Sequence, residues 1–158
     1  MKRLIIFLVI PLTIIIFATI TKWWYVSVVD GTDEILTGSP FPFVCRGFHT
    51  SMSLQLFMLE FMVDMLIYFT VILLFIYLVD KFVWKIRVNQ LMIIILYGAS
   101  GLIISLSGLI ASDPNNLFFL SRPFDIEIMD TGYKFTWQTL PHPDYYKYHP
   151  ERRPEKKE

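Results

Sequence analysis

The sequence predicts an all-α membrane protein with small β additions: three transmembrane helices with an extracytoplasmic β-hairpin cap and an extended C-terminal tail. Hydrophobic residues make up 54% of the 158 residues and charged residues only 18%, a balance shifted well away from that of soluble domains. Three apolar runs approach or exceed the roughly 20 residues that cross the hydrocarbon of a bilayer. Stretches of alternating polar and apolar residues follow two of these runs and predict strands.

The first predicted span covers residues 1–22. Its apolar run, residues 4–20, follows two basic residues, an arrangement shared by signal peptides and by helices that stay in the membrane. A cleavage site needs small residues two positions apart, but Ala18 is preceded at that spacing by Ile16. We therefore predict an uncleaved helix that ends at the aromatic residues 23–25, near the membrane surface.

Residues 54–80 form the second predicted span, residues 81–90 a cytoplasmic loop and residues 91–112 the third span. Basic residues near the ends of spans favour the cytoplasmic side. Here they lie before the first span and between the other two, so we expect a multi-pass protein of the cell (inner) membrane with a cytoplasmic amino terminus and an extracytoplasmic carboxyl terminus. These residues are Lys2, Arg3, Lys81, Lys85 and Arg87.

Two extracytoplasmic segments, residues 23–53 and 113–158, carry the strand patterns. In the first, β-favouring residues run into Asp30 and Gly31, a pair typical of hairpin turns. In the second, FDIEIMDTGYKFTW alternates apolar and polar residues around a predicted turn at residues 130–132. Because an isolated hairpin is marginally stable in water, we expect the two hairpins to pair with each other or with a partner.

Aromatic residues in these segments are candidate contacts with other proteins. Residues 39–43, SPFPF, predict a stiff strap that orients the second helix, because proline fixes φ and restricts the residue before it. A docking ridge for another subunit is the alternative interpretation. Beyond residue 140 the composition predicts an extended or disordered tail unless a partner binds it. The candidate docking residues are Phe41, Phe43, Trp137, Tyr145, Tyr146 and Tyr148.

Two carboxylates, Glu60 and Asp64, stand one helical turn apart in the second apolar run, and Tyr68 follows on the same face. Two ionised carboxylates in lipid would repel each other and lack hydration, so at least one should be neutral or paired. In a functional interpretation, the pair is a proton or cation relay or a transport site, because ionisable groups inside a membrane mark such paths.

In the structural interpretation, the carboxylates form an ion pair or hydrogen bonds with Arg46, Lys22, His49 or a backbone N–H of the preceding loop. We favour this interpretation, with Arg46 as the partner of Asp64, because the second span beyond Tyr68 offers no continuous polar path to the inner face. Two carboxylates and His49 have the ligand types of a metal site, but no metal or other cofactor is predicted.

The third span carries a seam of small residues, defined as Gly98, Gly101, Ser105, Gly108 and Ser112. Steps of three and four residues place all five on one narrow face of a helix. Small residues let another backbone approach closely, which is how helices associate in lipid. The seam is predicted to pack either on the chain's own helices or on a helix of a partner.

Several classes of function have no residues to support them. The net charge is zero and the basic residues are dispersed, so no nucleic-acid surface is expected. One cysteine, Cys45, allows no internal disulfide and no thiolate zinc cluster, and its predicted role is that of a small buried hydrophobic residue. Phosphate-binding loops, dinucleotide fingerprints and hydrolase or haem motifs do not occur in the sequence.

The sequence therefore predicts a small non-catalytic membrane subunit, whose partners are the lipid bilayer and other membrane protein subunits. In this hypothesis the seam, the outer cap and the aromatic tail pack onto a larger complex. The first rival is a small oligomeric transporter or ion- or proton-coupled component that uses Glu60 and Asp64. A weaker rival is a membrane enzyme in which the same two carboxylates act as acid and base at the outer interface.

Overall fold

Three long apolar helices and a six-stranded sheet make up most of the described part of the protein. The computed structural model describes residues 2–29, 32–47, 53–140 and 143–150. Each long helix has the length and apolar composition to span a membrane, which agrees with the prediction, but the size of the sheet makes the class mixed α/β rather than all-α. The helices are α1 (Lys2–Thr19), α2 (Met58–Val83), α3 (Gln90–Ala111) and the short α4 (Tyr145–Tyr148).

The sheet has the strand order β5-β4-β3-β2-β1-β6. Neighbouring strands are antiparallel except β4 and β5, which are parallel. The first predicted hairpin corresponds to the pairing of β1 with β2, while its turn residues, Asp30 and Gly31, lie outside the described residues. The strands are β1 (Ile20–Val28), β2 (Glu34–Thr37), β3 (Val44–Arg46), β4 (Leu54–Phe57), β5 (Leu117–Phe119) and β6 (Ile126–Phe135).

All three long helices meet the sheet at the same end. Strand β1 begins at the residue after α1, and β4 ends at the residue before α2. Strand β5 follows α3 after five residues, 112–116. The sheet therefore caps one end of the helix bundle, while the start of α1 and the loop of residues 84–89 lie at the other end.

Helix α1 contacts both other long helices and forms the centre of the bundle. Its residues Leu8 and Val9 pack with Ile72 and Ile76 of α2 in a buried apolar cluster. The turn at Ile5–Val9 is π-helical and precedes a buried proline, whose ring would clash with a carbonyl four residues earlier in a regular helix. A carbonyl of that widened turn, on Ile6, accepts a hydrogen bond of 2.8 Å from the Tyr97 hydroxyl of α3.

A second apolar cluster lies on one face of the sheet. Its centre is Phe57, the last residue of β4, whose side chain is fully buried. The Phe57 ring lies 6.4 Å from the ring of Phe119 and 5.8 Å from that of Phe124, between centroids. Val26 of β1 and Leu36 of β2 also belong to the cluster. The strands are therefore joined by side-chain packing as well as by backbone hydrogen bonds.

The second span begins later than predicted, because residues 54–57 form β4 rather than the first turn of a helix. A short apolar run directly before a long one shows no periodicity that would distinguish a strand from a helix. In the sheet, Gln55 pairs with Cys45 of β3 and with Leu117 of β5. Tertiary pairing on both sides therefore decided the conformation of this segment.

The tail does not form the predicted second hairpin. Residues 130–132 lie inside strand β6, which pairs with β1 on both sides of a register shift between Tyr25 and Val26. Gly132 has a different role from the predicted turn, because the indole of Trp23 lies directly over it. A Cβ built on Gly132 would come within 2.7 Å of the Trp23 Nε1 atom. The glycine makes room for the tryptophan. The expected pairing between the segments 23–53 and 113–158 is present as β1 with β6.

We expect Gly132→Ala to lower the free energy of unfolding by about 1–3 kcal/mol, because the new methyl group would force the Trp23 indole off the sheet. Thermal unfolding in detergent measures the loss. Gly108→Ala is the matched control, since a methyl group built there meets nothing within 4 Å. Equal melting temperatures for the two variants would contradict this account of Gly132.

Candidate functional site

Asp64 connects α2 to the Pro-Phe strap of residues 39–43. Asp64 is fully buried, and both of its carboxylate oxygens accept hydrogen bonds from the backbone N–H of Phe41, at 3.0 and 3.2 Å. Because α2 begins at Met58, Asp64 lies only about 9 Å along the helix from its start. Its partner is a backbone amide of the preceding loop, one of the candidates that the sequence offered.

The strap itself is a tight connection between β2 and β3. Gly38 precedes it with a φ of +146°, and a Cβ built there would lie 2.2 Å from the carbonyl oxygen of Phe41. The Gly38 carbonyl accepts a hydrogen bond of 2.9 Å from the indole of Trp24, and the Phe43 N–H donates to the Thr37 carbonyl at 3.0 Å. Side chains of β1 and α2 therefore hold the strap from two sides.

Glu60 connects the same end of α2 to a different loop. Its Oε1 atom accepts a hydrogen bond of 3.2 Å from the backbone N–H of Arg122, in the segment between β5 and β6. One residue earlier, the Leu59 N–H donates to the Leu120 carbonyl at 2.8 Å. The other carboxylate oxygen, Oε2, is buried and makes no hydrogen bond within the described part of the chain. Glu60 and Asp64 thus join two separate loops to one helix end.

The prediction that Arg46 pairs with Asp64 is wrong. Arg46 is exposed on β3, and the antiparallel register places it opposite Leu54, at the end of β4 that is farther from α2. Its charge acts on Glu34 of β2 instead: burial raises the pKa of Glu34, and the nearby guanidinium opposes that rise. His49, another candidate partner, lies outside the described residues.

Tyr68 takes part in an aromatic cluster rather than in the polar pair. Its ring meets Phe17 of α1 edge to face, with centroids 5.4 Å apart. Phe43 of the strap stacks on the same Phe17 ring at 5.4 Å and also contacts Phe61 of α2. Phe43 thus packs inside the chain, whereas Phe41, whose amide Asp64 holds, is 48% exposed.

The seam of α3 faces away from the chain's own helices. Within the described part of the chain, a Cβ built on Gly98, Gly101 or Gly108 would have no atom within 4 Å beyond its own helix. The two seam serines are exposed, and their hydroxyls donate to carbonyls of the preceding turn. Among the residues of α3, Ser100 alone is buried, on a different face from the seam. Packing on α1 or α2 therefore does not account for the small residues.

The described part of the tail folds back onto the sheet instead of extending. Tyr148 of α4 donates a hydrogen bond of 2.7 Å to Asp130 of β6, and this bond lowers the pKa of the Asp130 carboxyl. His149 lies 2.7 Å from an oxygen of Asp33, which also accepts from the Tyr25 hydroxyl at 2.8 Å. Burial, and then the Asp33 carboxylate, raise the pKa of Tyr25.

No sequence pattern predicts this second polar cluster of Tyr25, Asp33 and His149, because Asp33 and His149 are separated by 116 positions. It borders an open cavity of about 340 Å³ between the tail and the strands, lined in part by Glu34, Arg46 and Tyr145. Of the other candidate docking residues, Tyr146 is 41% exposed and Trp137 is 71% exposed. No group of three potential metal ligands occurs within residues 2–29, 32–47, 53–140 and 143–150.

Cys45 lies in the apolar cluster of the sheet and is only 3% exposed. Burial raises the pKa of its thiol to about 12, and the charge of Glu34 adds to the shift. The thiolate is the reactive form of cysteine, so this environment suppresses nucleophilic chemistry. The geometry agrees with the predicted role of Cys45 as a small buried residue.

No protein-family model, curated protein or solved structure matches this chain.

We expect Asp64→Leu to lower the free energy of unfolding by about 1–3 kcal/mol, since the Phe41 amide would lose its acceptor in a buried place. Asp64→Asn keeps one acceptor oxygen and should lose less. Arg46→Ala should stay within about 0.5 kcal/mol of the native protein, as surface substitutions usually do. Thermal unfolding in detergent compares the three, and a loss for Arg46→Ala as large as that for Asp64→Leu would restore the ion-pair interpretation.

The Cys45 thiol should resist alkylation in the folded protein. At pH 8 an ordinary thiol is about one-quarter ionised, whereas a thiol with a pKa of about 12 is ionised in about one molecule in ten thousand. We therefore expect labelling by N-ethylmaleimide, followed by mass spectrometry, to slow by about a thousandfold or more relative to an exposed cysteine. Tyr146→Cys in a Cys45→Ala background provides that reference, and similar rates at the two positions would show that the thiol is accessible.

Proposed function

We propose that this protein is a non-catalytic integral membrane subunit that packs onto and stabilises a larger membrane protein complex. The single observation that carries the proposal is the seam of α3, whose three glycines have open space beside them. Glycine lowers helix stability relative to alanine, by about 1 kcal/mol per residue in water, so three on one exposed face favour a role in close packing.

The exposure of α3 supports the same proposal. Only one of its 22 residues is buried against the rest of the chain, although the helix has the length and apolar composition of a span. The large aliphatic residues beside the seam suit lipid, whereas the seam suits a second helix backbone. The proposed occupant of the seam is a transmembrane helix of another subunit.

The proposed placement follows from the charge distribution. With the amino terminus and the loop of residues 84–89 in the cytoplasm, Lys2, Arg3, Lys85 and Arg87 obey the positive-inside rule. The sheet and α4 then lie outside the cell (inner) membrane. Asp64 and Glu60 hold the outer loops against α2 in this arrangement, so the carboxylates have a structural role and the subunit presents a preformed outer surface.

A second candidate is a small oligomeric transporter or an ion- or proton-coupled component that uses Glu60 and Asp64. The observation that favours it is the buried Oε2 atom of Glu60, which makes no hydrogen bond within the described part of the chain. Against it, residues 71–76 of α2 are all apolar, so no polar path continues from Tyr68 toward Tyr77 and Asp80. The Thr70 hydroxyl, just before this apolar stretch, donates a hydrogen bond to the Leu66 carbonyl of the same helix.

We expect Gly101→Leu combined with Gly108→Leu to release the protein from its complex, because two large side chains would separate the helix backbones. Affinity purification in mild detergent, followed by quantitative mass spectrometry, measures the loss of stoichiometric companions. Ser107→Leu is the matched control, since this residue is exposed on the same helix but lies off the seam.

Retention of every companion by the double variant would contradict the proposed role of the seam. A companion that is only a second copy of the chain would identify the protein as a homo-oligomer instead of a subunit of a larger complex. Loss of host function on Glu60→Gln with Asp64→Asn, with assembly intact, would favour the transporter.

A further inference from the structure

An exposed aromatic surface lies where β1 and β6 adjoin the end of α1. We call it the aromatic shelf and define it as Ile20, Tyr133, Phe135 and Trp137. Tyr133 and Trp137 are 72% and 71% exposed, Phe135 is 44% exposed and Ile20 is 38% exposed. Three large aromatic side chains with this exposure are unusual on a surface that meets only water.

The register of the sheet brings these residues onto one face. Ile20 is directly opposite Phe135, and Lys22 is directly opposite Tyr133. Residues opposite each other on neighbouring strands share a face, and alternate residues along a strand do as well. Beyond the strand, the Trp137 ring stacks on the Phe135 ring, with centroids 4.8 Å apart and planes 5° apart. The shelf is therefore a continuous surface.

Hydrogen bonds attach the shelf to the last turn of α1. The Thr136 N–H donates to the Thr19 carbonyl at 3.0 Å, and the Thr136 hydroxyl donates to the Ala18 carbonyl. Thr136 stands between the two stacked rings in the sequence. These contacts hold Phe135 and Trp137 level with the point where α1 ends.

The length of α1 relates that level to the bilayer. Its 18 residues extend about 27 Å, close to the roughly 30 Å of hydrocarbon in a bilayer. If α1 crosses the membrane, Thr19 lies at the outer hydrocarbon boundary, and the shelf lies there with it. Tryptophan and tyrosine concentrate at this depth because one part of each ring system is apolar and another forms hydrogen bonds.

A cation accompanies the aromatic residues. Lys22 lies on the same face, and its Nζ atom is 3.5 Å from the centroid of the Trp24 ring. Along β1, Lys22 lies two residues, about 7 Å, beyond Ile20 and is therefore farther from α1 than Phe135. Stacked rings near the end of α1, and an ammonium group beside Tyr133 farther along the strands, match the change of polarity at the membrane interface from hydrocarbon to headgroup.

We propose that the aromatic shelf inserts into the outer membrane interface and fixes the sheet against the phospholipid surface. The shelf is then a lipid-binding surface, and Trp137 is one of its anchors rather than a contact for another protein. This inference rests on the proposed membrane placement of α1. It adds a second attachment of the sheet to the bilayer, beside the three helices.

Spin labelling of the full chain in phosphatidylcholine liposomes tests the proposal. A nitroxide is attached at Trp137→Cys in a Cys45→Ala background, and its collision rates with oxygen and with a water-soluble nickel chelate are measured. Val71→Cys, 61% exposed near the middle of α2, reports membrane insertion. Tyr146→Cys, 41% exposed on α4, is the matched aqueous control from the same outer segment.

We expect the ratio of oxygen to nickel accessibility at Trp137 to exceed that at Tyr146 severalfold and to fall below that at Val71. A value equal to that at Tyr146, with Val71 deep in lipid, would overturn the lipid anchor and favour a protein contact while leaving the membrane placement intact. An aqueous value at Val71 would overturn the membrane placement and the anchor with it.

A second measurement needs no new cysteine. Brominated phosphatidylcholine quenches tryptophans that touch lipid, so the native protein should lose more fluorescence than Trp137→Tyr under the same conditions. Equal quenched intensity in the two proteins would also overturn the lipid anchor. Trp84→Tyr serves as the comparison, because Trp84 is 70% exposed at the opposite end of the bundle.

Discussion

The hydrogen bonds between the Asp64 carboxylate and the Phe41 amide are the constraint on which the junction of helix and sheet depends. A carboxylate buried at the second turn of an apolar helix needs a donor, and the strap supplies it at 3.0 and 3.2 Å. The conformation of the strap depends in turn on Gly38, whose carbonyl the Trp24 indole holds. These two polar contacts thereby join the turn between β2 and β3 to the start of α2 and to β1.

Glu60, one turn from Asp64 on the same face of α2, extends this junction to the segment between β5 and β6 through the amide of Arg122. Covalent continuity adds further constraints, since α1 passes directly into β1 and β4 directly into α2. A sheet connected to the bundle in these ways has little freedom to rotate about it. Such a cap presents a fixed surface, which is the property that a structural subunit needs if it is to orient its partners.

The two proposed surfaces of the molecule face different surroundings. The seam of α3 offers small residues and open space, which suit a helix backbone. The aromatic shelf offers large rings at the level where α1 ends, which suit the polarity gradient of lipid. Each surface is distinguished by the size of its side chains, and neither has the convergent polar groups of a catalytic site.

The apolar runs by themselves determined the three helices, because the free energy of moving a segment into hydrocarbon is a sum over its own residues. Alternation likewise indicated strands in both of the segments 23–53 and 113–158, and composition indicated a buried Cys45. The tertiary structure decided that Leu54–Phe57 is a strand, that Gly132 makes room for Trp23, and that an amide rather than Arg46 holds Asp64. Pairing of residues far apart in the chain sets these outcomes, as in the contact between Asp33 and His149, and no local pattern encodes which distant groups meet.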